Sequence, residues 1–394
     1  MNSKRILVYT EAAPVGQNVV AHGLHRAESP IMRSIVDHID GIAIFQVGQW
    51  FKNQDFDPEL AHLCVTVPRF ATLLCKALHR YSAIDFGLPN ALPPLLLARA
   101  ARRSSTDTVL AFVGADVDHI IRGARLAVWS GKSYAFYLVD DFLLSLHQIG
   151  ASEDTIQKKT KQAQLALCGA RHVFTITDGL GEHLRQNYGV SCTTLPLAFE
   201  LEPRPQLPVK NQIIYVGGTN FLYAAGLHDL FKVVERVRAS GVDLTVRLTA
   251  NAQVAVRDLG ELPSFVLSAP VETAAGLASE IASSLYAFLP YSFDPQHRLM
   301  VSTSFPSKSM EYLAYARSIV VYGPNYGVAT QYFLKTGLPS VTSSTADLEE
   351  VTRTQLIAQP DYSVSYREYL VAAHSLAVVR KILCSALGLE VQGC

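Results

Sequence analysis

Short apolar runs alternate with longer stretches of helical period along most of the chain, and that alternation permits little besides parallel sheets covered by helices. In the first half the runs are Ile6-Leu7-Val8-Tyr9, Ile42-Ala43-Ile44-Phe45, Val109 to Val113, Tyr134 to Leu138 and Val173-Phe174-Thr175-Ile176. A run that is apolar on both faces is the pattern of a strand covered on both sides. After the last of them, Asp178 is placed to cap a helix that closes at Gly189. The rhythm stops at ELEPRPQLPVK, Glu200 to Lys210, where Pro203, Pro205 and Pro208 make a stiff linker. It restarts with Ile213 to Val216, Leu244-Thr245-Val246, Phe265-Val266-Leu267, Tyr286 to Leu289 and Ile319-Val320-Val321. The pattern predicts an α/β protein of two Rossmann-like, doubly wound domains facing a cleft. Their expected bounds are residues 1–200 and 211–365, joined by a linker at 201–210. Residues 366–394 add a terminal helix, Tyr366 to Leu387 by its period, expected to pack across the domain junction.

Hydrophobic residues make up 49% of the 394 and charged residues 17%, which excludes a disordered chain and fits large buried sheets. Lys plus Arg and Asp plus Glu are both 34, so no global field selects nucleic acid, and any electrostatic site must be local. The cysteines, Cys64, Cys75, Cys168, Cys192, Cys384 and Cys394, are scattered without a C-x-x-C pair, against a disulfide framework or a zinc site. MNSKRILVYTEAAP reaches its first strand too soon for a signal peptide, and no apolar run approaches the roughly 18 residues of a bilayer span. A protein of a reducing cytoplasm is expected.

Ligands of open α/β sheets sit beyond the carboxyl ends of strands, so the loops there carry the candidates. Gly217-Gly218-Thr219-Asn220 follows the first strand of the second half directly. Such glycines either make a tight turn or let the backbone meet a phosphate. Without G-x-G-x-x-G, a nicotinamide or flavin enzyme is disfavoured. The segment LPYSFDPQHRLMVSTSFPSKSME, Leu289 to Glu311, brings His297, Arg298, Lys308 and Glu311 toward one rim, with Ser304 or Ser307 able to cap a helix that has Pro306 in its first turn. Lys308 and Glu311 lie three apart and read either as a surface ion pair or as an anion site. In the second reading Arg298 and Lys308 neutralise a diphosphate and Glu311 accepts from ribose hydroxyls. In YLVDDF, Asp140 and Asp141 stand at a strand end in the first half. Each reads as a base or hydroxyl acceptor, or as a cap for the helix that follows, and one of the two is expected to cap.

FPSKSMEYLAYARSIVVYGP resembles the F-P-S-K-x-x-E-Y-L-A-x-G-x-P-V-V segment of retaining GT-B glycosyltransferases of the family-4-like group. VFTITDGLGEHLRQNYGV is similar to the end of that group's acceptor domain, GADVDHIIRGARLAVWSGKSYAFYLVDD to the strand, helix and strand before its His-Asp or Asp-Asp pair, and IIYVGGTNFLYAAGLHDLFKVVERV to its opening donor-domain unit. The resemblance covers most of residues 110 to 335. It implies a GT-B fold and transfer of a sugar, a hexose, with retention from a nucleotide donor of UDP or GDP type. Glu311 would hold the donor ribose, Lys308 and the helix start at Ser304 would lie near the diphosphate, and Gly217 and Gly218 would let the donor approach. Asp140 would stand where relatives often carry histidine. The pattern departs at Thr303, which replaces a glutamate that contacts the donor sugar, at Gly218, which replaces an arginine, and at Ala316 and Ser318, which replace Gly and Pro. No cofactor or metal is implied, so the protein's own cations and N–H groups are expected to stabilise the leaving diphosphate.

Between Arg69 and Arg103, Arg69, Lys76, Arg80, Arg99, Arg102 and Arg103 face one acid, Asp85, among many apolar residues. The segment reads either as a packed helix with solvated arginines or as a peripheral contact with anionic lipid, which would fit a glycan or lipid-linked acceptor. Two rival functions are a GT-B nucleotide-sugar epimerase and a catalytically silent glycosyltransferase-like subunit bound to a partner enzyme.

Overall fold

The structure, a computed structural model, describes residues 5–11, 14, 24–44, 57–66, 92–102, 106–337 and 340–390. The chain forms two compact units. Among the described residues, the first takes the chain up to Ala198 and again from Leu376, and the second runs from Phe199 to Ser375.

The first unit holds a seven-stranded sheet of β1 (Ile6–Thr10), β2 (Ile39–Ile44), β3 (Cys64–Thr66), β4 (Thr108–Val113), β5 (Ser133–Leu138), β6 (His172–Thr175) and β7 (Thr193–Thr194). Its order is β3-β2-β1-β4-β5-β6-β7, with every described pairing parallel. Helix Val117–Ser130 lies so close to β4 that a Cβ on Gly123 would come within 2.7 Å of the Ala111 Cβ, and only glycine permits that approach.

The second unit holds a six-stranded parallel sheet of β8 (Lys210–Tyr215), β9 (Thr245–Leu248), β10 (Val266–Ser268), β11 (Ser284–Pro290), β12 (Ile319–Tyr322) and β13 (Ser340–Thr342). Its order is β10-β9-β8-β11-β12-β13. In helix Phe221–Ala239, a Cβ on Gly226 would stand 2.6 Å from the Pro290 Cβ, so this helix too is seated on its sheet through a glycine. Tyr215, Leu230, Val234, Val246, Phe288 and Val320 form part of one buried core.

Both sheets are doubly wound, as the alternation predicts. The short strands β3, β7 and β13 were not expected, because each carries at most one aliphatic residue and forms no apolar run. Helix Asp178–Tyr188 is capped by Thr177, whose hydroxyl accepts from the Leu180 N–H at 3.1 Å, rather than by Asp178. It closes at Gly189 with φ 68°. The 200–209 stretch has no regular structure. It is held to the second unit by Arg204, whose Nε donates to the Tyr315 carbonyl at 2.9 Å, and by Arg367, which donates to the Glu202 carbonyl at 3.0 Å.

The expected terminal helix is two helices, Ser363–His374 and Leu376–Leu387, separated by Ser375 at ψ 152°. The break has a use: the first packs on the second unit, where the Tyr366 hydroxyl accepts from the Ile319 N–H at 3.2 Å. The other packs on helix Leu24–Ser34 of the first unit. There Arg380 grips Asp37 at 2.8 and 2.6 Å and the Ser34 carbonyl at 2.8 Å. Among the described residues no helix is long and apolar enough to cross a membrane.

The hydrogen bond from Arg380 holds the Asp37 carboxyl below its ordinary value. A depressed folded pKa stabilises above the unfolded value of about 3.9 and loses that contribution as pH falls through the lowered value. The pair is half-exposed, so screening leaves it little. Arg380→Ala should cost about 1 kcal/mol near neutral pH, and urea titrations should show the gap from wild type narrowing below about pH 4.

Candidate functional site

In the second sheet, β8 and β11 are neighbours whose following strands lead away in opposite directions. Their carboxyl ends therefore flank the switch point at which such sheets bind ligands. β8 runs out into Val216, Gly217 and Gly218, and Gly217 turns at φ 104°, a conformation that favours glycine. This exit is fixed by neighbours. The Val216 N–H donates to the Tyr312 hydroxyl at 2.8 Å, that hydroxyl donates to the Phe288 carbonyl on β11 at 3.2 Å, and the Gly217 N–H donates to the Thr249 hydroxyl at 3.0 Å.

Lys308 reaches this turn. Its side chain is buried, with the residue 6% exposed, and a Cβ on Gly217 would lie 3.6 Å from its Nζ. The ammonium donates to the Tyr215 hydroxyl at 2.7 Å. It lies 4.0 Å from the centroid of the Tyr215 ring and 3.8 Å from that of Tyr223. Tyr215 in turn donates to the Gly218 carbonyl. Burial pushes the Tyr215 phenol well above its ordinary pKa, so it stays neutral and keeps the proton it donates. Glu311, one turn on, is also buried at 8% exposure. Neither charge sits on a solvated surface, so the surface ion-pair reading does not describe them.

The other expected donor-side residues are distributed differently. Thr219 is buried and donates to Asp258 at 2.9 Å, while Asn220 caps helix Phe221–Ala239 by accepting from the Leu222 N–H at 3.1 Å. Arg298 is exposed, its guanidinium 4.3 Å from the centroid of the Tyr326 ring. His297 bonds Ser292 at 2.8 Å and lies against Phe221. Thr303 is 1% exposed and turns its hydroxyl back to the Leu299 carbonyl at 2.8 Å, within its own helix Arg298–Thr303. Ser304 ends that helix instead of starting the next, and its carbonyl accepts from the Tyr291 hydroxyl at 2.6 Å. The helix carrying Glu311 is Ser309–Tyr315, with Lys308 at its N-cap position and no cap from the Lys308 side chain. The expected start is too early because Pro306 biases the residue before it toward extended backbone.

In the first unit the two aspartates divide their roles. Asp141 is 3% exposed; it caps the following turn by accepting from the Leu143 N–H at 2.8 Å, and its other oxygen lies 2.9 Å from the His183 Nε2. Asp140 stands half-buried just beyond β5. Most of the basic segment Arg69 to Arg103 lies outside the described residues. Within them, Arg102 donates to the Trp129 carbonyl at 2.7 Å.

Sequence reasoning missed a charged cluster at the first sheet's own switch point, between β1 and β4. Glu11 follows β1 and takes a bidentate grip from Arg122 at 2.5 and 2.8 Å, a hydrogen bond from Tyr9 at 2.7 Å and a contact with His119 at 3.3 Å. The signal was available: an acid directly after a buried strand, and an arginine on the apolar face of a helix. His183 gave none, being one histidine on an amphipathic helix.

No family model matches the sequence, and no curated protein does. Solved structures match over nearly the whole chain. A sucrose-phosphate synthase from Thermosynechococcus elongatus is 12% identical, covers 98% of each chain and superposes with a TM-score of 0.65. A UDP-forming alpha,alpha-trehalose-phosphate synthase from Burkholderia xenovorans, in complex with glucose-6-phosphate, is 13% identical over 97% of this chain and 100% of that one, at 0.61. An alpha-glucosyltransferase in complex with UDP is 10% identical over 98% and 100%, at 0.60. These neighbours are GT-B glycosyltransferases, and the chain has their fold.

Tyr312→Phe tests how the site is built. It strips the buried Val216 N–H of its acceptor and should cost about 1–3 kcal/mol. Amide exchange at Val216 should accelerate, whereas unchanged stability and exchange would show that the β8 exit does not depend on this hydroxyl.

Proposed function

We propose that this protein is a glycosyltransferase that moves a hexose from a nucleotide-sugar donor of UDP or GDP type to a glycan or lipid-linked acceptor, with retention. The observation that carries the reading is the buried Lys308 ammonium beside the positive-φ Gly217, at the switch point of the second sheet. An anion is the ligand such a place suits, because the glycine turn lets a backbone approach it and the lysine supplies a full charge. Glu311, buried on the same short helix, is a hydrogen-bond acceptor suited to ribose hydroxyls.

Departure of the nucleoside diphosphate builds negative charge on phosphate oxygens. A cation already in place stabilises that charge without reorganising during the reaction. In this reading Lys308 carries the charge without a divalent ion, the work a missing arginine at Gly218 would otherwise share. Thr303 spends its hydroxyl on its own helix, so the donor sugar is read by other groups than the glutamate of the resembling family. Asp140 is the acceptor-side carboxylate, since Asp141 is committed to its turn and to His183. The protein works in the cytoplasm, and the basic segment before Arg103 offers a peripheral contact with anionic lipid.

A thermal-shift screen against UDP, GDP, ADP, dTDP and CMP tests the donor: a ligand at 100 times its Kd should add about 2.7 kcal/mol of stability. Turnover of donor without acceptor would point to an epimerase, and binding without turnover to a silent subunit. With the best nucleotide, Glu311→Ala should weaken binding about 10- to 100-fold, as loss of a charge-assisted hydrogen bond of about 1.5–3 kcal/mol implies. The matching deoxyribose nucleotide should lose less, and equal losses would remove Glu311 from the ribose. Asp140→Asn should keep nucleotide affinity and lower turnover; an unchanged rate would remove Asp140 from the mechanism.

A further inference from the structure

We infer that Tyr215 and Tyr223 are positioning residues that seat the Lys308 ammonium between two aromatic faces and couple it, through the Tyr215 hydroxyl, to the Gly217–Gly218 turn. The inference deepens the nucleotide-donor reading and rests on it for the identity of the ligand. Burying a lone ammonium is costly unless polar or π-electron partners replace water. Here the Nζ lies within 4.0 Å of the Tyr215 centroid and 3.8 Å of the Tyr223 centroid, both inside the range of a cation–π contact. An aromatic face attracts the cation without contributing a counter-charge of its own. A carboxylate in the same place would hold the lysine more firmly and would cancel the field an anionic ligand has to feel.

The Tyr215 hydroxyl adds direction. It accepts from Lys308 at 2.7 Å and donates to the Gly218 carbonyl, so one phenol fixes both the cation and the backbone of the turn. That carbonyl is thereby engaged by a donor, which lessens its repulsion of a phosphate oxygen brought near. The two rings come from different elements, Tyr215 from the end of β8 and Tyr223 from the first turn of helix Phe221–Ala239. They lie 5.8 Å apart at 55°, and Tyr223 is backed by Tyr291 at 6.0 Å. Tyr223 therefore has its own support and does not depend on the lysine for its place. With Gly218 where the resembling family often has arginine, the seat fixes the lysine that reaches the turn.

The test uses the full-length protein and two readouts. Competitive amine labelling, read by peptide mass spectrometry, reports on the seat itself. Lys308 in the wild type should label more slowly than exposed lysines such as Lys232, and faster in Tyr215→Phe and Tyr223→Leu, while Tyr223→Phe keeps the ring and should match the wild type. Calorimetry with UDP, GDP and the corresponding nucleosides reports on its use. Tyr215→Phe and Tyr223→Leu should each weaken diphosphate binding about 5- to 30-fold and leave nucleoside binding within about twofold. Lys308 labelling that neither variant changes would overturn the seat. Equal losses for diphosphate and nucleoside would overturn its role in positioning charge. A wild type that binds neither UDP nor GDP would instead sink the donor reading, while the labelling still decides whether the seat exists.

Discussion

An ammonium buried in a protein has to find substitutes for the water it has lost, and the geometry beyond β8 follows from how Lys308 finds them. Its substitutes include a phenol oxygen and two ring faces, none of which brings a counter-charge. To reach them the lysine must lie under the β8 exit, and the exit turns at Gly217 with a φ of 104° that favours glycine. Tyr312 then has to accept the Val216 N–H that the turn leaves without a strand partner. Glycine, lysine and tyrosine are thus set by one requirement. It explains why the segments before and after β8 look unremarkable singly and constrained together.

The doubly wound architecture was legible in the sequence because strands buried on both faces, such as Val109 to Val113 and Tyr286 to Leu289, announce themselves by composition alone. The strands β3, β7 and β13, with at most one aliphatic residue each, do not. Helix limits were less legible. Pro306 and Ser304 suit a helix start in isolation, yet Ser304 closes one helix and the next begins only at Ser309. Tyr366 to Leu387 keeps one helical period through a residue that is not helical, since period does not report the backbone angle of Ser375.

Candidate residues were legible as a set and not as individuals. The loops at the carboxyl ends of strands could be named from topology, which put Gly217, Lys308 and Glu311 on the page. What each side chain does depends on groups distant in sequence. Thr219 is taken by Asp258, Asp141 by His183 and Thr303 by its own helix, and the rings that hold Lys308 lie about 90 residues before it. No local pattern records such pairings. The Glu11 and Arg122 grip shows the same gap, because the two residues stand 111 apart.

The first unit is discontinuous: its helix Leu376–Leu387 is made only after the whole second unit. During synthesis at about 5–20 residues per second, the chain up to Ala198 waits on the order of ten seconds or more for that helix, while the whole second unit is produced in between. Through that interval the face of helix Leu24–Ser34 that will receive it stays uncovered, and Asp37 lacks its arginine. The unit begun first is therefore completed only after the second has been made, when Arg380 arrives.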